Sequence, residues 1–387
     1  MKRTSLPLLL VCMLSLATWP ACKQPYLPPV TKAKGNFLVV DGFINGGTDS
    51  TVFLLSRTRN LSDSILLQPE LRATVYVESA GGLTYQLSDF GNGRYAIPRL
   101  TLQPGETYRL HILTAGGEEY TSGYVPVKAA PPIDSLSWRA DSLGVTVSVN
   151  THDPANSSRY YRWQYDETWE YRSSYQSFFD WDWQNQQLVL RDSSNQVYSC
   201  WRSQASTDIL LGSSAKLSQD VIRGYRLTSV PRGSEKLSYI YSLHVRQYAL
   251  TQEAFSYWDN LRKNTEQRGS LYDPQPSQVP SNLHNLRDST EPVFGFVSAC
   301  ITSEARLFID NHNGLVPHWG YVPYYADYGC DNRTIPPDSI NYFIPGTYPP
   351  QYTLVGTPTG PGYIITPARC ADCRLHGGTN QKPDYWP

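Results

Sequence analysis

The cysteines carry the sharpest chemical signal in this 387-residue chain. Cys22 stands at the end of a basic, then apolar N-terminus. Lys2 and Arg3 open it, Leu6 to Ala17 is an apolar run broken by Pro7 and Ser15, and Trp19-Pro20-Ala21 lead into the cysteine. The run is too short to span a membrane comfortably and fits the apolar part of an export signal. A small residue directly before a cysteine at this distance is the pattern at which a signal is cut and the new N-terminal thiol acylated. Lipidation of Cys22 and a membrane tether are therefore expected, with plain secretion after Ala21 as the alternative. Several acyl chains, each burying about 0.8 kcal/mol per CH₂, would make the tether effectively permanent.

Cys12 leaves with the signal, so Cys200, Cys300, Cys330, Cys370 and Cys373 remain, an odd number for an oxidising compartment. Cys370-Ala-Asp-Cys373 has the CxxC spacing of a thiol–disulfide site. Such a site needs a helix start after a strand, whereas this one lies between Pro367 and Gly377-Gly378. Cys330, Cys370, Cys373 and His376 could ligate zinc, but a single CxxC in an oxidising compartment favours a structural disulfide from Cys330 to Cys370 or Cys373. Cys200 and Cys300 sit in strand patterns and could pair or stay as buried thiols. The histidines (111, 152, 244, 284, 312, 318 and 376) are scattered. His312 and His318, near Asp310, come nearest to a metal group but lack ligand spacing, so no metal and no cofactor are expected.

The chain has no HExxH, GxSxG, Walker loop or GxGxxG. Asp180 and Asp182, or Glu167 and Glu170, are carboxylate pairs of the kind a glycosidase uses. Sequence proximity does not place two carboxyls across a cleft, and outward polar positions on a strand explain them better. The stretch Trp169 to Trp183 is the strongest non-catalytic feature: Trp169, Tyr171, Tyr175, Phe178, Phe179, Trp181 and Trp183 are spaced among polar residues. Exposed Trp and Tyr supply rigid contact area with a polar handle, as on sugar platforms and protein interfaces, so these are candidate binding residues. Strand alternation would expose only about half of them, and the rest would pack a core.

The elements that must position these residues read as mainly β. Only 17% of residues are charged while 13% are aromatic, and Pro and Gly are frequent, which suits an all-β extracytoplasmic protein. The net charge of −1, with no basic patch, excludes a nucleic-acid partner. After the signal (1–21), residues 22–36 read as the lipidated cysteine and a Pro/Gly-rich linker. Residues 37–128 read as a β-sandwich. Phe37–Ile44 and Thr51–Thr58 are strand runs, Gly81-Gly82 marks a hairpin, and Thr107–Thr114 alternates with Tyr108, Leu110 and Ile112 on one face and Arg109, His111 and Leu113 on the other. Ala129-Ala130-Pro131-Pro132 is a boundary.

A second, larger β-sandwich is expected over 133–325. Val145, Val147 and Val149 share a face, Tyr161, Trp163 and Tyr165 alternate with Arg162, Gln164 and Asp166, and Tyr239, Tyr241, Leu243 and Val245 alternate with Ser242, His244 and Arg246. One helix over 251–266 packs on that sheet: Thr251 can cap, and Ala254, Tyr257, Trp258 and Leu261 recur at helical spacing. Val293–Ser303 is the next strand. Residues 326–387 carry so much Pro, Gly and Tyr that an irregular tail is expected, stapled to the domain by its aromatics and cysteines.

Four stretches together resemble a known family: LVVDGFI near the mature start, YYRWQYDETWEY, the helix-and-loop QYALTQEAFSYWDNLRKNTEQRGSLYDPQPSQVPSNLHN, and the terminal CADCRLHGGTNQKPDYW. They resemble domain-of-unknown-function family 4249, whose members look like outer-membrane lipoproteins of Bacteroidota. The resemblance implies an accessory role beside a TonB-dependent outer-membrane receptor and assigns no chemistry. The expected function is a non-catalytic, lipid-anchored binding or accessory module of the outer membrane, on its periplasmic or its outer side. A carbohydrate-active hydrolase with an unrecognised carboxylate pair is the alternative.

Overall fold

The computed structural model describes residues 36–59, 68–103, 105–182, 184–185, 187–266, 279–311, 329–344, 351–356 and 360–387. Cys22, Trp183, His312 and His318 lie outside them. The chain is mainly β, and no described helix is long and apolar enough to cross a membrane.

The first unit is built from the short alternating runs that the sequence announces. Strands Leu38–Asn45, Thr51–Arg57, Arg94–Ile97, Thr84–Asp89, Thr74–Ser79, Thr107–Leu113 and Glu119–Ser122 follow one another antiparallel in that spatial order. Val75 and Val77 face Leu110 and Ile112 across the register, and all four are fully buried. Tyr95 is buried with them, its hydroxyl donating to the Glu70 carbonyl at 2.8 Å and accepting from the Ala73 amide at 2.9 Å. His111 projects from the opposite face and is held between Glu78 (Nδ1–Oε1 2.8 Å) and Glu119 (Nε2–Oε1 2.7 Å).

Closure of this sheet depends on residues far downstream. Ala299–Ile301 inserts parallel between Leu38–Asn45 and Val125–Ala129, and Val125–Ala129 also pairs with Thr107–Leu113. Leu283–Asn285 adds to Glu119–Ser122, and Phe294–Gly295 runs parallel to Leu38–Asn45. The expected boundaries, 37–128 and 133–325, therefore need correction, because residues 283–301 belong in space to the first unit. The expected single strand Val293–Ser303 is two short bridges to that unit, followed by the strand Ser303–Asp310. Two- and three-residue pairings carry no periodicity for a sequence to show.

Gly295 marks how tightly the returning segment is seated. Its φ is +134°, and a β-carbon there would meet the Val40 carbonyl oxygen at 2.2 Å. Gly295→Ala is expected to cost roughly 1–3 kcal/mol from backbone conformation alone, before the clash is counted. Urea unfolding measures this, and a loss of under about 0.5 kcal/mol would mean that the segment is not locked in place.

The second unit sets the sheet Ile133–Ala140, Gly144–Asp153, Asp220–Pro231 against a sheet ordered Ser199–Ala205, Tyr160–Arg172, Ile240–Ala249, Ser303–Asp310. Leu210–Ser213 pairs with the first part of Tyr160–Arg172. Strands that alternate between two sheets in this order form an immunoglobulin-like Greek key. Val145, Val147 and Val149 pack against Tyr161, Trp163, Leu243 and Val245. Gln247, buried among them, is fully engaged: it accepts from Trp163 Nε1 (2.9 Å) and donates to Thr151 Oγ1 (3.0 Å) and the Pro131 carbonyl (2.8 Å).

The helix Gln252–Glu266 leaves the end of Ile240–Ala249. Thr251 caps it, its Oγ1 accepting from the Ala254 amide at 3.2 Å. Its apolar face meets Tyr160, Leu211, Tyr248 and Leu250 of the second unit and Phe43, Phe296 and Cys300 of the first. It is a wedge between the two units and not only a cover on one sheet.

The tail is more regular than its composition suggests. Arg333–Ile335, Tyr363–Pro367 and Tyr352–Gly356 make a small sheet, and Ile335, Ile340, Ile344, Leu354 and Ile365 build its core around Trp181. Two disulfides fasten the tail. Cys330 joins Cys370, and Cys373 joins Cys200 on a strand of the second unit, so Cys200 does not pair with Cys300. Cys300 is a buried free thiol whose pKa burial pushes up to about 12. The Tyr171 hydroxyl donates to the Cys373 carbonyl and that of Tyr175 to the Cys330 carbonyl, both at 2.8 Å. Trp386 closes the chain against Trp201 and Phe308.

Candidate functional site

The described part of the aromatic stretch, residues 169–182, does not form the expected broad surface; Trp183 lies outside the described residues. Trp169, Tyr171 and Trp181 are buried, Tyr175 and Phe179 are half-buried, and Phe178 is 53% exposed. This is a correction for Trp169, Tyr171 and Trp181, and it has two causes: Trp169 and Tyr171 continue the inward face of their strand into the core of the second unit, and the tail covers Tyr171 and Trp181. The strand Tyr160–Arg172 lies between two neighbours in its sheet, and the disulfide-linked turn at Cys373 and the small C-terminal sheet cover what would otherwise be open. Trp169 is held further by Glu235, which accepts from its Nε1 at 3.2 Å, and by Lys236, whose Nζ stands 5.2 Å from the ring centroid.

The carboxylates also differ from expectation. Glu167 and Glu170 are not outward solvated residues but are buried and paired. Glu167 accepts from Lys236 Nζ and from the Tyr241 hydroxyl, and Glu170 accepts from Arg172 Nε at 2.9 Å. Asp180 is exposed and ion-paired with Arg191, and Asp182 caps the turn at Gln184 and Asn185. His376 Nε2 donates to the Arg369 carbonyl at 2.6 Å. Among the described residues no His, Cys, Asp and Glu cluster is arranged to hold a metal ion.

The structure instead places a cleft of about 630 Å³ at the junction of the two units. One wall is Val39–Gly42 of the first strand together with Phe294–Phe296 of the returning segment. The helix supplies Tyr257, Trp258 and Leu261, and the loop Ser206–Ile209 forms the remaining side. Arg162 and Gln164, from the outward face of the strand Tyr160–Arg172, make the floor. The same alternation that buries Tyr161, Trp163 and Tyr165 inside the sandwich turns these two polar residues toward the cleft.

Arg162 is the unusual member. Its guanidinium carbon lies 3.6 Å from the Trp258 ring centroid and 5.8 Å from that of Tyr248. Among the described residues no carboxylate or carbonyl meets it, and its Nε is buried without an acceptor. Burial pulls its pKa down, opposed by Tyr248, Asp41 and Tyr257. Burial likewise pushes the Tyr248 hydroxyl up to about 12, so that it stays neutral and donates to Gln164 Oε1 at 2.7 Å. Arginine remains charged in proteins, and a desolvated cation without a counter-ion is poorly stabilised where it stands. Stacking on Trp258 offsets part of that cost, and cation–π contacts contribute about 2 kcal/mol when desolvated. Asp41 and Asp208, both exposed, are the other charged groups on the lining among the described residues.

A family model described as "Domain of unknown function (DUF4249)" matches residues 23–306, most of the chain. The chain belongs to that family. The matched stretch contains every described residue that lines the cleft and all of the two β units except the end of the last strand. It ends within the strand Ser303–Asp310, so Cys330, Cys370 and Cys373 fall beyond it. No curated protein matches the chain. Among solved structures the chain is similar to a two fibronectin type-III domain segment of chicken tenascin, at 10% identity over 71% of this chain and 98% of that one, with a TM-score of 0.17. It is also similar to a "putative carbohydrate binding protein" from Bacteroides uniformis, at 12% identity over 56% of this chain and 91% of that one, with a TM-score of 0.16. At those scores neither overlay bears on function.

Arg162, Asp41, Asp208, Tyr257, Trp258, Phe294 and Phe296 are not among the site residues expected from sequence, where Tyr257 and Trp258 read only as the helix's apolar face. Arg162 and Gln164 read there as ordinary outward positions, because alternation distinguishes inside from outside but not solvent from a neighbouring unit. The available signal was the helix: an amphipathic helix packed on a sheet must cover some outward polar side chains, and Arg162 is the charged one whose neighbours in sequence are all aromatic or amide.

Proposed function

We propose that this protein is a non-catalytic binding or accessory lipoprotein, exported and tethered to the outer membrane through Cys22, with the cleft between its two β units as the binding site. The observation that carries the reading is Arg162: a guanidinium with a buried Nε and no carboxylate partner among the described residues, on the floor of an open cleft walled by aromatic side chains. Ligand sites are concave, mostly apolar and furnished with a few convergent polar groups, and 630 Å³ falls in their usual range. The N-terminal pattern supports the tether, and a TonB-dependent receptor as partner rests on what the sequence resemblance implies. A tethered protein shares a two-dimensional layer with its partners, so a modest interface suffices to keep it associated.

Two measurements test this reading. Cys22→Ala is expected to lose fatty-acid labelling and to leave the membrane fraction, and equal labelling of variant and wild type contradicts the tether. Gentle crosslinking in native membranes, followed by purification, is expected to recover a TonB-dependent receptor, and recovery of the protein alone contradicts the partnership.

A second reading has one observation in its favour. Asp41 and Asp208 line the same cleft, as a hydrolase's carboxylate pair would. Both are exposed, whereas a general acid needs surroundings that hold its proton near neutral pH. Release of sugar from a glycan, abolished by Asp41→Asn or Asp208→Asn, would put the hydrolase first.

A further inference from the structure

We infer that Arg162 binds the carboxylate of a small zwitterionic ligand with an apolar body, the chemistry of a short apolar peptide; this rests on the reading of the cleft as the binding site. The guanidinium is planar, and its fork of N–H donors matches the two oxygens of a carboxylate. Trp258 covers one face of it at 3.6 Å, and its Nε is buried without an acceptor among the described residues. A bound anion would supply a counter-charge to a half-buried guanidinium, through charge-assisted hydrogen bonds.

The rest of the lining selects among anions. Among the described residues of the lining, Arg162 contributes one positive charge, and Asp41 and Asp208 contribute two negative ones. A phosphate or sulfate would meet net repulsion on approach. A monocarboxylate that also carries an ammonium group would find Arg162 for one end and an aspartate for the other. Tyr257, Leu261, Phe294 and Phe296 then offer the apolar surface that the ligand's side chains would cover. Phe294 is 44% exposed, a large apolar side chain left open at the mouth.

Calorimetry on the intact mature chain tests this with a set of apolar di- and tripeptides, each compared with its C-terminal amide and its N-acetyl form. The free peptide is expected to bind, and amidation to weaken binding by roughly tenfold to a hundredfold, the usual weight of hydrogen bonds to a charged group. Acetylation is expected to weaken it less, since Asp41 and Asp208 are exposed. In Arg162→Gln the difference between acid and amide is expected to vanish, while Phe294→Ala weakens acid and amide alike. Equal binding of acid and amide to the wild type overturns the inference, as does discrimination that survives in Arg162→Gln. If Arg162→Gln does not fold, the wild-type comparison alone decides. If a neutral oligosaccharide binds and no peptide does, the inference falls and the binding reading stands. If wild type and Phe294→Ala bind nothing across both sets, both fall.

Discussion

Replacing Cys200 and Cys373 together by alanine is expected to lower stability by about 4–5 kcal/mol. The bridge closes a loop of 173 residues, and the chain-entropy relation gives close to 5 kcal/mol for that length, less any native strain. The Cys330–Cys370 bridge, with a separation of 40, gives about 4 kcal/mol by the same relation, because the dependence on length is only logarithmic. The longer bridge matters more for a second reason. Cys200 is fully buried in the core of the second unit, so its partner ties the tail to that core and not merely to itself. Both cysteines should be changed at once, since a lone Cys373 thiol would sit three positions from Cys370 and could exchange with its bridge. Cys300 will not join such exchange, because burial holds it as a thiol. Urea unfolding of the oxidised proteins measures the difference, and a loss below about 1 kcal/mol would mean that the tail is held by packing alone.

Trp163→Ala is expected to cost about 5 kcal/mol, enough to leave the second unit largely unfolded in a protein of ordinary stability. Removing a fully buried tryptophan leaves a cavity and costs roughly 3–5 kcal/mol. The indole also stacks on Tyr225, with ring centroids 4.4 Å apart, and lies over Gly212, where even a β-carbon would touch the ring. Its loss leaves Gln247 Oε1 buried without a donor, a further penalty of about 1–3 kcal/mol. Trp163→Phe keeps the ring and removes the donor, so it is expected to cost about 2 kcal/mol, the donor share with a smaller packing loss. Equal losses in the two variants would show that the hydrogen bond, and not the volume, dominates the site.

The parts of this fold that were legible from sequence are those with long, regular alternation. Tyr108, Leu110 and Ile112, and Val145, Val147 and Val149, are buried as their spacing requires, and the helix begins at its Thr251 cap. Three things were not legible. Leu283–Asn285 and Ala299–Ile301 are too short to show a period, and their partners lie more than 150 residues upstream. The tail's sheet is interrupted by turns, so its Ile335, Leu354 and Ile365 core looks like scattered apolar residues in a Pro-rich run. The aromatic residues from Trp169 to Trp181 read as a surface because composition cannot show that the first two join the core of the second unit and that the tail's sheet packs around the last. The cleft was hidden for a related reason: Arg162 obeys the outward rule, but outward there means toward a second unit.

The late insertion of Ala299–Ile301 bears on the order in which the molecule assembles. A chain that emerges N-terminus first presents Leu38–Asn45 and Val125–Ala129 long before the strand that must lie between them exists. Until then both strands carry free backbone donors and acceptors along an open edge, the condition under which β proteins pair with the wrong neighbour. The first unit is therefore completed only after most of the second has been made, and the final ring closure waits on a contact of very large sequence separation, which slows folding. A chaperone that shields that edge during the interval would raise the yield of native protein without touching the finished molecule.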